Sequence, residues 1–429
     1  MRVLLLATTT GYQTRSFGDA AARLGIELVF ATDRCHLLGD PWQDGAIPIR
    51  FYDESASVAA ILDAARDRPI GGVLVVGDRP TVIAARVAEA LGLPGHPPGA
   101  AAIARDKQRT RETLHAAGVP APWFRTYKVT TEPDAISRSM AFPCVVKPLA
   151  LSGSRGVMRA DDPVSFRDAW VRLRTLLRSP DIRAERNDAH DAVLVEEFIP
   201  GHEFALEGVM HRGVLQVLAL FDKPDPLDGP FFEETIYVTP PSWPADVQQA
   251  IVKAVDRAAT AIGLTDGPVH AECRVAPSTA SGHGPIVVLE VAARPIGGLC
   301  ARALQFEAEG TRCTLEELLL RQALGESPAG WRREAAASGV MMIPIPRRGT
   351  FRGVSGVDAA RGVAGIDDVR ITAKEDQLLV PLPEGASYLG FIFAHGADAA
   401  VVERALREAH ASLHFTVDSE WRVLQSGHG

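Results

Sequence analysis

Two glutamates placed to share a divalent cation are the first feature of the chain with chemical meaning. Val269–Val275 and Ile286–Arg294 read as strands flanking Pro277–Pro285, a segment made largely of Ser, Gly and Pro. Symmetric pairing about that loop sets Glu272 opposite Glu290. One face then carries His270, Glu272, Arg274, Glu290 and Arg294, and the other Val269, Ala271, Cys273, Leu289, Val291 and Ala293. Directly opposed carboxylates repel and weaken the pair. A divalent cation between them removes that penalty, and Mg²⁺ favours a few carboxylates plus phosphate oxygens. A solvated polar face, its carboxylates paired with Arg274 and Arg294, is the competing reading, and the hairpin alone leaves both open.

A second group of residues suits a nucleotide. Pro143–Pro148 puts Lys147 at the end of a strand, and SGSRGV (Ser152–Val157) follows. Gly153 and Gly156 let the backbone turn and present amides to phosphate oxygens, with Ser152, Ser154 and Arg155 as further donors. An ordinary hairpin turn with a surface lysine explains the same residues, and the spacing is not that of a Walker motif. VLVEEFI then places Glu196 and Glu197 before the Pro200-Gly201 turn, with Glu203 beyond. Adenine needs an acceptor and a backbone amide, and ribose hydroxyls suit a carboxylate. Glu196, the Phe198–Ile199 backbone and Glu203 fit those needs; an exposed acidic strand end fits equally. No convincing Ser/His/Asp or Cys/His set points to a covalent nucleophile.

Positioning such residues requires several layers of structure, and 429 residues suffice for two to four subdomains. Val3–Ala7, Ile26–Ala31 and Val73–Gly77 are short apolar runs, and Phe17–Leu24, Ser57–Ala65 and Val82–Leu91 have helical spacing. These are βαβ units of a mainly parallel sheet, whose strand ends at Thr8–Gly11 and Gly77–Pro80 are where ligands bind in such sheets. A helix is expected over Ala100–Ala117, another over Pro163–Leu177, and a flexible loop over the polar stretch Ser179–Asp191. Helices at Ala245–Ile262 and Leu315–Ala323, a polar linker at Arg332–Ser338 and a last helix at Ala399–Leu413 complete the outline.

Composition narrows the class. Hydrophobic residues make up 46% and charged residues 23%, as in globular proteins. The net charge of −8, without a Lys/Arg cluster, argues against nucleic acid or a membrane as partner. MRVLLLATTTGYQ reads as a buried first strand rather than a signal peptide. The five cysteines lack zinc spacing, so buried free thiols and a cytoplasmic location are expected.

In chain order, Lys107 in RDKQRTR, Lys147 in VVKP, SGSRGV, EEFIPGHEF, HAECRV and LEVAARPIGG resemble the ATP-grasp superfamily. The segment MMIPIPRRGTFRGVSG, with LPEGASYLGFIFAHG, looks like the C-terminal domain of the L-amino-acid ligase branch, which forms dipeptides and related amides. The resemblance covers the whole chain and implies a multidomain α/β and α+β protein. A Rossmann-like domain would span residues 1–105, an ATP-grasp domain 106–335 with a lid at about 125–195, and an α+β ligase-type domain 336–429.

The resemblance also assigns roles. Lys107 and Lys147 would contact ATP phosphates, Ser152, Gly153, Ser154, Arg155 and Gly156 would form the loop over them, and Glu196, Glu197, Phe198, Ile199 and Glu203 would hold adenine and ribose. Glu272 and Glu290 would bind Mg²⁺, with Mn²⁺ as an alternative. Arg294 and Lys223 would serve the chemistry, while His270, Glu233, Glu234, Gly297 and Gly298 would line the substrate pocket with Arg294. Ala292 stands where many ATP-grasp enzymes have an asparagine, which leaves the number of metal ions open. The implied reaction joins a small-molecule carboxylate to an amine through an acyl-phosphate, releasing ADP and phosphate; a homodimer is compatible with it. The rival readings are an ATP-grasp carboxylase or purine-pathway ligase, and a non-catalytic ATP-binding regulatory module.

Overall fold

The apolar run at the start of the chain forms the strand Arg2–Ala7, inside a four-stranded parallel sheet with Ile47–Pro48, Glu27–Thr32 and Gly72–Val76. Helices cover both faces, so the strand is apolar from Val3 to Ala7. Val3 and Leu5 pack with Phe17 and Ala20 on one side, Leu4 and Leu6 with Ile61 and Ile83 on the other. The computed structural model describes residues 1–8, 12–33, 46–278 and 283–419. Residues 9–11 of the expected ligand-facing strand end, Cys35 and residues 279–282 of the hairpin loop lie outside them. Cys144, Cys273, Cys300 and Cys313 are buried free thiols. Among the described residues no helix is long and apolar enough to cross a membrane.

The single helix expected over Ala100–Ala117 is two, Pro98–Arg105 and Lys107–Ala116. Asp106 breaks it: its backbone is extended and its carboxylate accepts hydrogen bonds from the amides of Gln108 and Arg109, capping the second helix. Lys107 is thereby fixed in the first turn.

A second four-stranded sheet occupies the segment expected to form a lid, in the order Phe124–Lys128, Ala192–Glu197, Cys144–Pro148 and Met158–Ala160. The helix Pro163–Leu177 seals it with Phe166, Trp170 and Leu173, and Asp162 and Ser165 close a capping box at its start. Ser179–Asp191, expected as a flexible loop, is ordered as a helix Pro180–Arg183 and a 3₁₀ turn Asp188–Asp191. Two buried side chains in a polar stretch account for this. Ile182 enters the core of this sheet, and His190 meets Glu185 at 3.0 Å. Glu185 also lies 3.8 Å from Arg79, and Arg186 covers the Tyr52 ring, so the segment docks onto the N-terminal domain.

The third sheet has eight antiparallel strands: Ile286–Ala292, Gly267–Val275, His202–His211, Val214–Asp222, Ile236–Thr239, Ala337–Ile343, Gly390–Gly396 and Ile366–Ile371. The boundary expected at residues 335/336 therefore falls within one continuous sheet, where Ile236–Thr239 pairs with Ala337–Ile343. The linker expected over Arg332–Ser338 is also structured: Arg332 and Arg333 pair with Glu307 and Phe306, and Ser338 lies within a strand. The helix Ala245–Ile262 closes one face, packing Ile251 and Val255 against Leu206, Val269, Val288 and Val291.

Candidate active site

The strand pair Gly267–Val275 and Ile286–Ala292 sets Glu272 directly opposite Glu290. The register changes between Glu272 and Cys273, where Cys273 pairs with Val288 and Leu289 is the extra residue of a bulge. Leu289, expected on the buried face with Val291, consequently lines the cavity beside Glu290. Between the second four-stranded sheet, the eight-stranded sheet and the N-terminal domain, this cavity of about 440 Å³ gathers most of the residues singled out from the sequence. Lys107, Lys147, Ser152, Gly153, Ser154, Glu196, Glu197, Phe198, Ile199, Glu203, Glu234, His270, Glu272, Glu290, Arg294, Gly297 and Gly298 all line it.

Four expected site residues do not. Gly156 is buried behind the loop, its amide donating to the Pro383 carbonyl at 2.8 Å. Arg155 turns outward to Asp181 at 2.7 Å and to the Glu384 carbonyl at 2.7 Å, because Ser154 and Gly156 both take positive φ and rotate the loop between them. Glu233 precedes Glu234 in the chain and points the other way, towards the Ile345 backbone. Lys223 lies beneath the cavity, its side chain 2% exposed.

The Lys223 ammonium donates to Glu203, Glu234 and Glu272 at 2.7, 2.7 and 2.8 Å. Burial disfavours its charge, but the three carboxylates outweigh burial and push its pKa well above the ordinary lysine value. The carboxylates then divide. Burial raises both, but Lys223 and His270 hold Glu272 well below the usual range, whereas burial together with the neighbouring Glu272 lifts Glu234 to about 7. Tyr237 donates its hydroxyl to Glu234 at 2.8 Å. Arg274 fixes Glu203 at 2.9 Å and also bonds the carbonyls of Ile199 and Leu227. Glu203, expected on ribose, is thus held from both sides.

The end of the cavity expected to take the nucleotide is a second charged cluster. Glu196, expected against the adenine amine, is bonded by Lys147 on one oxygen and by Arg111 at 3.0 Å on the other. Burial raises this carboxyl, yet the two cations keep it below its ordinary value; burial conversely lowers Lys147 to about 8. Arg111, 1% exposed, also donates to the Leu289 carbonyl at 2.6 Å and ties the strand Ala192–Glu197 to the bulge. It was not singled out from the sequence, although it stands four positions after Lys107, on the same helix face. Lys107 donates to the Leu151 carbonyl at 3.0 Å.

Glu290 is held loosely, with Lys107 at 3.9 Å and Arg294 at 3.8 Å. Arg294 is gripped instead by Asp78, from the N-terminal domain, at 3.0 and 3.4 Å. His270 meets Glu207 at 3.2 Å, and Glu207 also accepts the Ile296 amide at 3.1 Å. Burial disfavours the imidazolium, but Glu207 and Glu272 raise its pKa to about 9.

The residues present fit a divalent cation. Glu203, Glu234 and Glu272 bring carboxylate oxygens within 4.8 Å of one another, and the single Lys223 ammonium offsets only part of their charge. Glu290, opposite Glu272 with its cations held off, adds a carboxylate open to the cavity. Ala292, 2% exposed, offers no ligand.

Comparison with known proteins agrees with this plan. Residues 18–95 match the ATP-grasp N-terminal domain, 140–303 the ATP-grasp domain, and 341–418 the L-amino acid ligase C-terminal domain 2. An L-amino acid ligase from Bacillus licheniformis superposes with a TM-score of 0.81 at 27% identity, covering 97% of this chain and 99% of that one. The alanine–anticapsin ligase of Bacillus subtilis is 29% identical over 228 residues, 50% of this chain and 46% of the relative. The D-alanine–D-alanine ligase of Aromatoleum aromaticum is 31% identical over 166 residues, 38% of this chain and 50% of the relative. The chain thus spans about half the length of these two curated relatives.

Proposed function

We infer what the molecule does from its family: the chain belongs to the ATP-grasp superfamily and carries the C-terminal domain of the L-amino acid ligase branch. On that premise it joins a small-molecule carboxylate, an amino acid or similar acid, to an amine, forming a dipeptide or amide and converting ATP to ADP and phosphate. The observation that carries this reading is one cavity holding the opposed Glu272 and Glu290, the Arg294 guanidinium and the Lys107/Lys147 end under the glycine-containing loop.

A carboxylate oxygen of the first substrate attacks the γ-phosphorus and ADP departs; the amine nitrogen then attacks the acyl carbon and phosphate leaves. Lys107 and Lys147 hold the phosphates, and Ser152, Gly153 and Ser154 lie over them. Glu272 and Glu290 would hold Mg²⁺, which neutralises charge on the transferring phosphoryl group when bound. Arg294 faces the acyl-phosphate and the oxyanion formed when the amine adds. Lys223 acts from below: by offsetting part of the charge of Glu203 and Glu272 it lets a strongly acidic floor accept a phosphorylated substrate. The lid, docked on both neighbouring domains, keeps water from the acyl-phosphate.

The test is incubation with ATP, Mg²⁺ and pairs of amino acids, with chromatography of the nucleotides and mass spectrometry of the products. ADP with a new amide is expected. AMP as the main nucleotide, or ADP formed with bicarbonate and not with amino acids, refutes the reading.

A further inference from the structure

Gln13 and Asp78 of the N-terminal domain both line the cavity; Gln13 donates to the Ile296 carbonyl at 3.3 Å, and Asp78 meets Arg294. The domain's strand Gly72–Val76 ends at Gly77, whose φ of +85° turns the chain so that Asp78 lines the cavity. Asp78 accepts Arg294 Nε on Oδ1 at 3.0 Å and Nη2 on Oδ2 at 3.4 Å. Arg294 Nη1 donates to the Pro295 carbonyl at 3.2 Å. A guanidinium carries five N–H groups. Three are engaged by these contacts, so five less three leaves two, one on each terminal nitrogen. The carboxylate therefore occupies the Nε–Nη2 edge, and the free N–H groups left on Nη1 and Nη2 are donors suited to a phosphoryl or carboxyl group. Glu290 Oε1, 3.8 Å from Nη2, is too far to hold the guanidinium in its place.

We propose that Asp78 is the positioning residue for Arg294, aiming its free N–H groups at the acyl-phosphate and making the N-terminal domain part of the reaction centre. The role in turnover rests on the ligase reading; the contact itself does not. An ordinary interdomain ion pair would contribute to stability and leave turnover intact. A positioning residue lowers kcat and leaves the affinity for ATP, which is bound at the Lys107/Lys147 end.

The test uses the full chain with Asp78→Asn, which keeps the shape and removes the charge, and Asp78→Glu, which keeps the charge and shifts it. Two readouts are taken: steady-state kinetics, and labelling of Arg294 by phenylglyoxal read by mass spectrometry without substrates. In Asp78→Asn, kcat for amide formation is expected to fall roughly tenfold or more, with KM for ATP within about threefold. Labelling of Arg294, slow in the wild type, should accelerate, and Asp78→Glu should restore part of both. Unchanged labelling in Asp78→Asn overturns the proposal whatever the activity, as does kcat within about twofold of wild type. A wild type that joins no carboxylate to any amine while labelling still accelerates in the variant refutes the ligase reading and leaves the Asp78–Arg294 contact standing. If Asp78→Asn does not fold, Asp78→Glu decides: wild-type kcat and labelling together overturn the proposal, and a kcat loss with faster labelling sustains it.

Discussion

The Lys223 ammonium lies 2.8 Å from Glu272, the carboxylate that faces Glu290 across the hairpin. A buried cation thus underlies one of the two proposed metal ligands. It leaves Glu290, with its nearest cations at 3.8 and 3.9 Å, as the more open of the pair.

Lys223→Met should be among the most damaging single changes outside the apolar cores. It leaves Glu203, Glu234 and Glu272 crowded together without their shared counter-charge. Removing one partner of a buried ionic group costs about 3–5 kcal/mol. Denaturant unfolding should show that loss, and MgCl₂ should recover part of it in the variant more than in the wild type, since a divalent cation can take the vacated position.

Glu290→Gln should behave in the opposite way. Its contacts are long, so stability should change by about 1 kcal/mol or less. Turnover should fall by orders of magnitude, as should that of Glu272→Gln, and the double variant should be far from additive because both act on one site. Near-wild-type rates for either single variant at ordinary Mg²⁺ would rule out the shared metal site.

ATP affinity should weaken as pH rises through about 8, where buried Lys147 loses its proton. Its folded pKa lies below the ordinary 10.5. Between those values the unfolded chain binds more protons than the folded one, so this group's contribution to stability rises with pH while its hold on phosphate declines. Calorimetry from about pH 7 to pH 9.5 should show the effect, and Lys147→Arg, charged throughout, should flatten it.

Gly153 and Gly156 separate two costs in the loop proposed to cover the phosphates. Both have positive φ, +63° and +76°. A Cβ at Gly153 would meet nothing within 4 Å, whereas one at Gly156 would stand 2.9 Å from Leu173 and 3.3 Å from Pro148. Gly153→Ala should cost about 1 kcal/mol of backbone strain. Gly156→Ala should cost about 1–3 kcal/mol more through overpacking, and raise KM for ATP as the loop shifts. Equal unfolding midpoints for the two variants would contradict this.

What the sequence revealed, and what it hid, follows from the range of each signal. The pairing of Glu272 with Glu290 could be read from a loop of turn residues and the two-residue period of strands. The loop-side register nonetheless differs by one from symmetric pairing, and the Leu289 bulge restores the expected match at Glu272. A bulge leaves no periodic trace, so Leu289 was placed on the wrong face. Lys147 and the loop after it were legible because glycine and lysine cluster locally. Arg155 was misplaced because the positive φ of Ser154, a non-glycine residue, reorients its neighbour. Asp78 and Arg111 escaped because their partners lie far along the chain, at Arg294 and Glu196. The strand end at Gly77–Pro80 was marked as ligand-facing, yet nothing local shows which of its side chains would matter.

The eight-stranded sheet has a consequence for synthesis on the ribosome. Ile236–Thr239 is made well before Ala337–Ile343, its hydrogen-bonded neighbour. Until that later strand emerges, the half-built sheet presents Ile236–Thr239, apolar and buried in the finished protein, as an open edge. An open edge is where a nascent chain pairs wrongly. Exchanging the C-terminal segment between relatives at residue 336 would place a foreign strand against that edge, so the segment must be matched to it strand by strand rather than handled as a detachable module.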